Sequence, residues 1–101
     1  MSMEIGIERT AIKVIDFGAL PNANIKYIPH GLTFEQYSSV CKIWGIVTYP
    51  SATWKIPIPY TNAATPESVI QLDLSITEVG IRTAADRTTL TAKVYIEYEI
   101  D

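Results

Sequence analysis

The stretch that decides the fold is VIDFGALPNANIKYIPHGL, residues 14–32. An apolar run that carries Asp16 ends at Gly18, the chain turns through Pro21, and a second extended run ends at His30. Glycine, proline and asparagine supply the backbone angles that a tight corner needs. The segment therefore predicts two strands joined by a turn, and it raises the question whether Asp16 and His30 are catalytic or structural.

The alternation of apolar and polar residues continues on both sides of this corner, with turn residues at short intervals. Such a pattern is typical of antiparallel sheets. The predicted strands are residues 11–17, 25–30, 40–49, 53–60, 69–76, 79–83 and 91–100. Only residues 33–39 favour a helical turn, with Thr33 as its N-cap. The sequence therefore predicts an all-β fold, an antiparallel β-sandwich of about six to seven strands, with an open barrel as the alternative.

The apolar phase of each strand predicts the core. The residues expected to point inward in the last strands are Ile70, Leu72, Leu74, Ile76, Val94, Ile96, Tyr98 and Ile100. Strands 11–17 and 40–49 are apolar on both faces, which is more than one small sandwich covers. We therefore expect an oligomer, and a charged residue at Ile12 or Ile46 should dissociate or unfold it.

Length and composition indicate one domain, with an N-terminal arm or strand over residues 1–10 and a sandwich domain over residues 11–101. Apolar residues make up 48% and charged residues 19% of the 101 residues, and the net charge is −3. No basic patch favours nucleic acid, and no apolar run is long enough to insert in a membrane. The segment MSMEIGIERT lacks the basic start and apolar core of a signal peptide.

The chain offers little for catalysis. His30 is the only histidine and Cys41 the only cysteine, so any acid–base centre must use His30, and no intrachain disulfide can form. Nothing in the spacing places Asp16 against it. Ser38 and Ser39 lack a nucleophile-elbow motif, and there is no phosphate-binding loop or metal-ligand cluster. We expect no enzyme, no catalytic residue, no metal and no cofactor.

Two sets of residues could contact a ligand. Tyr49, Trp54 and Tyr60 flank a proline-rich segment, and exposed aromatic rings stack against the apolar faces of sugars. The alternative is that Trp54 and Tyr60 are core or interface residues. Asp86 and Arg87 fit a polar turn, a cross-subunit ion pair, or a loop tip that hydrogen-bonds a glycan.

Several motifs, taken in order, resemble a small β-sandwich domain of bacteriophage virion proteins, found in tail fibres and related appendages. The matching positions are Ile15 to Asn22, His30-Gly31-Leu32, Gly45, Pro57 to Tyr60, Ile81 to Thr91, and Val94 to Tyr98. They span residues 12–100. The resemblance implies an H-type lectin-like sandwich, a homotrimer, and a location in the virion. It also implies a structural role at the first corner for Asp16, Gly18, Pro21, His30 and Gly31.

The function expected from this resemblance is a small trimeric appendage or receptor-binding module that binds host surface polysaccharide, with Trp54, Tyr60, Asp86 and Arg87 as ligand contacts. The alternative is a purely architectural capsid, collar or baseplate decoration or adaptor protein, and a cellular sugar-binding protein comes third. Other virion proteins are the expected partners. The arm could dock onto one of them through Met3 to Arg9 as an added strand.

Overall fold

The computed structural model describes residues 9–51, 53–61, 64 and 68–100. The elements are β1 (Arg9–Ala19), β2 (Ile25–Pro29), α1 (Phe34–Ser38), β3 (Val40–Thr48), β4 (Lys55–Ile58), β5 (Ile70–Leu74), β6 (Glu78–Thr83) and β7 (Thr91–Ile100). The all-β prediction is confirmed. The arm predicted over residues 1–10 lies outside the described residues, except for Arg9 and Thr10, which begin β1. Most of residues 61–68 lie outside them as well.

The strands form two antiparallel sheets. One has four strands in the order β1-β7-β3-β4, and the other has three in the order β2-β6-β5. The two strands that carry proline, β2 with Pro29 and β4 with Pro57, lie at sheet edges. An edge is where a residue without an amide proton costs no ladder hydrogen bond.

The core lies between the two sheets. Its buried members come from both of them and from the adjoining loops: Ile15, Phe17, Leu20, Val47, Ile58, Ile70, Val79, Ile81, Leu90, Ala92, Val94 and Ile96. Because one cluster draws on both sheets, their inner faces pack together in a sandwich-like arrangement. Burial of each Val, Leu, Ile or Phe side chain of this cluster contributes about 1.5–3 kcal/mol to stability.

The predicted helical turn is present as α1. The Thr33 hydroxyl accepts a hydrogen bond from the Gln36 amide at 3.1 Å, and the Gln36 side chain accepts one from the Thr33 amide at 2.9 Å. This reciprocal pair is a capping box, which satisfies two amides that the first turn leaves without partners. Within the part of the chain that the structure describes, no helix is long and apolar enough to span a membrane.

Three residues predicted to point inward do not reach the core: Ile76, Ile100 and Tyr98. Tyr98 is half-buried, and its hydroxyl accepts a hydrogen bond from the Gln36 side chain of α1. The exposed fraction is 50% for Ile76 and 45% for Ile100. Strand β5 ends at Leu74, so Ile76 falls in the turn to β6, where the alternation no longer determines direction. Ile100 is the last residue of β7, where it pairs with Arg9 at the start of β1, and its side chain stays exposed at this end of the sheet.

The four-stranded sheet has a second apolar surface, which points away from the core. Cross-strand partners point to the same face of a sheet, and here Val14 pairs with Tyr95, which pairs with Trp44. Ile12 and Ile46 share that face. We call this surface the outer face and define it by Ile12, Val14, Trp44, Ile46 and Tyr95.

Candidate functional site

The corner at residues 14–32 is held by backbone geometry and by hydrogen bonds from the other sheet. The pairing of β1 with β7 shifts register between Asp16 and Gly18. Gly18 has φ of +80°, a conformation that glycine adopts without strain. The carbonyl of Pro21 accepts hydrogen bonds from the Thr83 hydroxyl at 3.0 Å and from the Arg87 amide at 3.1 Å. The corner is thus tied to β6 and to the loop that follows it.

His30 is buried, with an exposed fraction of 2%. Its Nδ1 accepts a hydrogen bond from the Leu32 amide at 3.0 Å, so the ring proton lies on Nε2, which donates to the Ser75 carbonyl at 2.9 Å. Gly31, with φ of +70°, lets the chain turn back so that the Leu32 amide reaches the ring. The Tyr37 ring stacks beside the imidazole, with centroids 6.1 Å apart.

The structure does not bring Asp16 and His30 together. Asp16 pairs with Lys93 on the exposed side of the four-stranded sheet, pointing away from the core. Both nitrogens of His30 are bonded to backbone groups of the second sheet and the corner. His30 therefore links the chain after β2 to the turn that follows β5.

Asp86 and Arg87 form a local turn after β6. The Asp86 carboxylate accepts hydrogen bonds from the Thr88 amide at 3.0 Å and from the Thr88 hydroxyl at 2.8 Å. These two bonds, the amide first, hold the pKa of the Asp86 carboxyl below its ordinary value. Nε of Arg87 is buried and has no hydrogen-bond partner among the described residues.

An open depression lies where β3, β4 and the segment after β4 meet. It has a volume of about 530 Å³ and is lined by Tyr49, Trp54, Lys55, Ile56, Pro57 and Tyr60. We call it the aromatic depression. Its volume falls within the range of about 300–1,000 Å³ that small-molecule sites occupy. The predicted ligand residues Trp54 and Tyr60 are thus brought together, whereas Asp86 and Arg87 are not among its lining residues.

Local structure holds the aromatic rings in place. The Tyr49 amide donates to the Trp54 carbonyl at 3.1 Å, which closes the turn between β3 and β4. Tyr60 and Ile70 exchange two backbone hydrogen bonds, at 2.9 and 3.0 Å, which fix the chain after β4 against β5. Tyr49 and Tyr60 also pack against the core, whereas Trp54 has an exposed fraction of 69%. Trp54 is therefore not a core residue of the single chain.

Lys55 is the residue of this depression that sequence reasoning missed. Its ammonium donates to the Thr48 hydroxyl at 3.2 Å across the β3–β4 pair. No local pattern could have placed it, because the pairing of Lys55 with Thr48 depends on the register of the β3–β4 hairpin. The combination of ring faces, tyrosine hydroxyls and one ammonium suits a ligand with both apolar and hydroxyl-bearing surfaces, such as a saccharide.

Lys55 also borders a second depression, which lies on the exposed side of the four-stranded sheet. This depression has a volume of about 760 Å³. Its lining residues include Asp16, Ile46, Lys93 and Tyr95. Among the described residues, no three side chains of His, Cys, Asp or Glu are grouped so that they could hold a metal ion.

Comparison with known proteins gives no relative: no family model, no curated protein and no solved structure matches this chain. The resemblance to phage appendage domains therefore stays a prediction from the motifs.

Proposed function

We propose that this chain is a bacteriophage virion structural protein, a small trimeric appendage or receptor-binding module with an H-type lectin-like sandwich. Its aromatic depression binds a saccharide of the host surface, with Trp54 as the stacking platform and Tyr60 as a flanking contact. In this proposal Asp86 and Arg87 stabilise their local turn and do not contact the sugar. No catalytic step is part of the proposed function.

The exposure of Trp54 is the single observation that carries the proposal. A tryptophan side chain that is 69% exposed keeps a large apolar surface in water, although its burial would stabilise the chain. Here that surface borders a depression of about 530 Å³ and is flanked by two tyrosines. A sugar ring that stacks on Trp54 would cover this surface, while the tyrosine hydroxyls and the Lys55 ammonium can hydrogen-bond sugar hydroxyls.

Assembly into a trimer would multiply a weak single-site interaction. Three depressions on one particle raise the effective concentration of the second and third contacts once the first has formed. A shallow, open site of this kind is then sufficient for attachment to a repetitive surface polysaccharide.

The apolar outer face favours a second candidate function. A purely architectural decoration or adaptor protein needs a surface for another virion protein, and large exposed apolar patches mark protein contacts. In this candidate the outer face binds capsid, collar or baseplate, and the aromatic depression binds no glycan.

Glycan binding by the wild type and by two matched variants distinguishes the receptor-binding function from the architectural one. Trp54→Ala removes the proposed platform. Phe34→Ala is the control, because Phe34 is 65% exposed and lies in α1, away from the depression. On an array of bacterial surface polysaccharides, we expect Trp54→Ala to weaken binding by about tenfold or more, the equivalent of ~1.4 kcal/mol. Phe34→Ala should bind as the wild type does.

Both variants should melt close to the wild type, since exposed positions change stability by only about ±0.5 kcal/mol. Absence of glycan binding by the wild type, or equal binding by Trp54→Ala, would replace the receptor-binding proposal with the architectural one.

A further inference from the structure

The outer face forms one apolar patch across three strands. The rings of Trp44 and Tyr95 stack with centroids 5.4 Å apart and planes at 11°. Next to them, Ile12 and Val14 have exposed fractions of 50% and 52%. A contiguous patch of aliphatic and aromatic side chains on a sheet surface is typical of a contact with another protein.

Charged side chains divide the same surface into two halves. On β1 and β7, three carboxylates and one lysine point to this side: Asp16, Glu97, Glu99 and Lys93. On β3 and β4, Lys42 and Lys55 point to this side, and no acidic residue does. The first half therefore carries a net charge of −2 (−3 + 1) and the second a net charge of +2, and the apolar patch extends across both halves.

The side-chain contacts confirm these directions. The Thr10 hydroxyl donates to Glu97 Oε2 at 2.6 Å, on the side to which Ile12 points. The Lys42 ammonium lies 4.8 Å from the centre of the Trp44 ring. Asp16 and Lys93 are direct cross-strand partners on that side.

We infer that the outer face is where copies of this chain contact one another, with the acidic half of one copy against the basic half of the next. Each copy carries both halves, so it offers one to each neighbour. Such a contact joins two different patches, and it closes into a ring when the rotation between copies allows. The number of copies, three, rests on the proposed function, whereas the choice of this face does not.

The inference also places the aromatic depression at a subunit boundary. Lys55 lines both that depression and the one on the outer surface. A neighbour whose acidic half approaches Lys55 brings its own β1, with Asp16, to the rim of the aromatic depression. The ligand site of one copy is then bordered by the next.

A matched pair of substitutions tests the face. Ile12 and Ile76 are both isoleucines with an exposed fraction of 50%, but Ile76 lies in the β5–β6 turn, outside the outer face. Ile12→Lys places an ammonium directly opposite Glu97 of its own chain, so we expect the fold to tolerate it. It also places a charge in the apolar contact, beside the neighbour's basic half. Ile76→Lys adds the same charge elsewhere.

Light scattering on a size-exclusion column, across a dilution series, gives the result. We expect the wild type and Ile76→Lys at three times 11.2 kDa. Ile12→Lys should elute as a folded monomer of 11.2 kDa, with the far-ultraviolet circular dichroism of a β-sheet protein. A monomeric wild type overturns the inference. So does an Ile12→Lys variant that stays assembled at every concentration tested.

Charge reversal tests the pairing of the halves. Asp16→Lys should raise the concentration at which the assembly dissociates by about tenfold or more, and adding Lys55→Asp should reverse that change. If the double variant is weaker than either single variant, the two halves do not meet. Trp54→Ala tests saccharide binding and leaves the residues of the outer face unchanged. An error in the proposed subunit contact can therefore be distinguished from an error in the proposed function.

Discussion

Strand β1 carries apolar residues on both of its faces, but only one of these faces is buried. Ile15 and Phe17 point inward, with exposed fractions of 7% and 2%, whereas Ile12 and Val14 point outward, with 50% and 52%. The difference follows from topology, because the three-stranded sheet covers only one side of the four-stranded sheet. Alternation along a strand shows which residues share a face, but a second layer decides which face is buried.

Alanine substitution on the two faces of β1 is expected to give the largest effect. Ile15→Ala should lower the free energy of unfolding by about 2–5 kcal/mol, because it leaves a cavity in the core. Ile12→Ala removes the same atoms from an exposed site and should cost the single subunit less than about 1 kcal/mol. Denaturant unfolding monitored by tryptophan fluorescence measures both, at a protein concentration low enough to keep subunits apart.

Equal costs for the two alanine variants would contradict the assignment of faces. If the loss of unfolding free energy caused by Ile12→Ala grows with protein concentration, the comparison becomes sharper. That result would show that the outer side of the strand is buried only in the assembly.

Gly45→Ala probes how tightly the inner face is packed. A Cβ at this position would lie 2.8 Å from Cγ1 of Ile58 and 2.9 Å from the backbone oxygen of Lys93. We expect a loss of about 1–3 kcal/mol from overpacking. This exceeds the gain of ~0.4–1 kcal/mol that Gly→Ala otherwise gives by restricting the unfolded chain. Urea unfolding measures the balance, and an unchanged or raised midpoint would show that β4 can move away from β3.

A substitution at Asp86, in an exposed turn, should have the smallest effect on the free energy of unfolding, and this effect should change only at acidic pH. The pKa of Asp86 is lowered in the folded state by the bonds from Thr88, so the stabilisation is complete above the carboxyl's ordinary pKa of 3.8. It is lost as the pH falls through the lowered value. Asp86→Asn keeps an acceptor oxygen without the titration.

The difference in unfolding free energy between wild type and Asp86→Asn should therefore change in the acid range and stay constant above about pH 5. A difference that is the same from neutral pH down to about pH 2 would mean that the carboxylate form of Asp86 has no special role in this turn.

Local patterns predicted a large part of the fold. Thr33 predicted the start of α1, and the alternation in β5 and β7 identified Ile70, Val94 and Ile96 as buried. Each of these signals acts within a few residues of the chain. The errors at Ile76 and Ile100 have different reasons: Ile76 lies in a turn, where alternation no longer determines direction, whereas Ile100 keeps the inward phase of β7 but lies at the exposed end of the strand.

The candidate site was less predictable. Sequence reasoning placed Trp54 and Tyr60 in one candidate set and Asp86 and Arg87 in another, but it did not indicate that only the aromatic set borders the depression. It also missed Lys55. A spatial group formed from two strands and a following segment depends on register and on how the chain bends after Ile58, and no local pattern encodes either.

The sequence by itself determined the all-β class, the turn residues and the faces of each strand, because backbone preferences and alternation are local properties. Only the tertiary structure decided which apolar face is buried, since that depends on where the second sheet lies. The same holds for His30, whose ring bonds to Ser75, 45 residues away in the chain. Tertiary packing also left Trp54 exposed beside Tyr60, because their depression exists only once β3 and β4 have paired and the segment after β4 is in place.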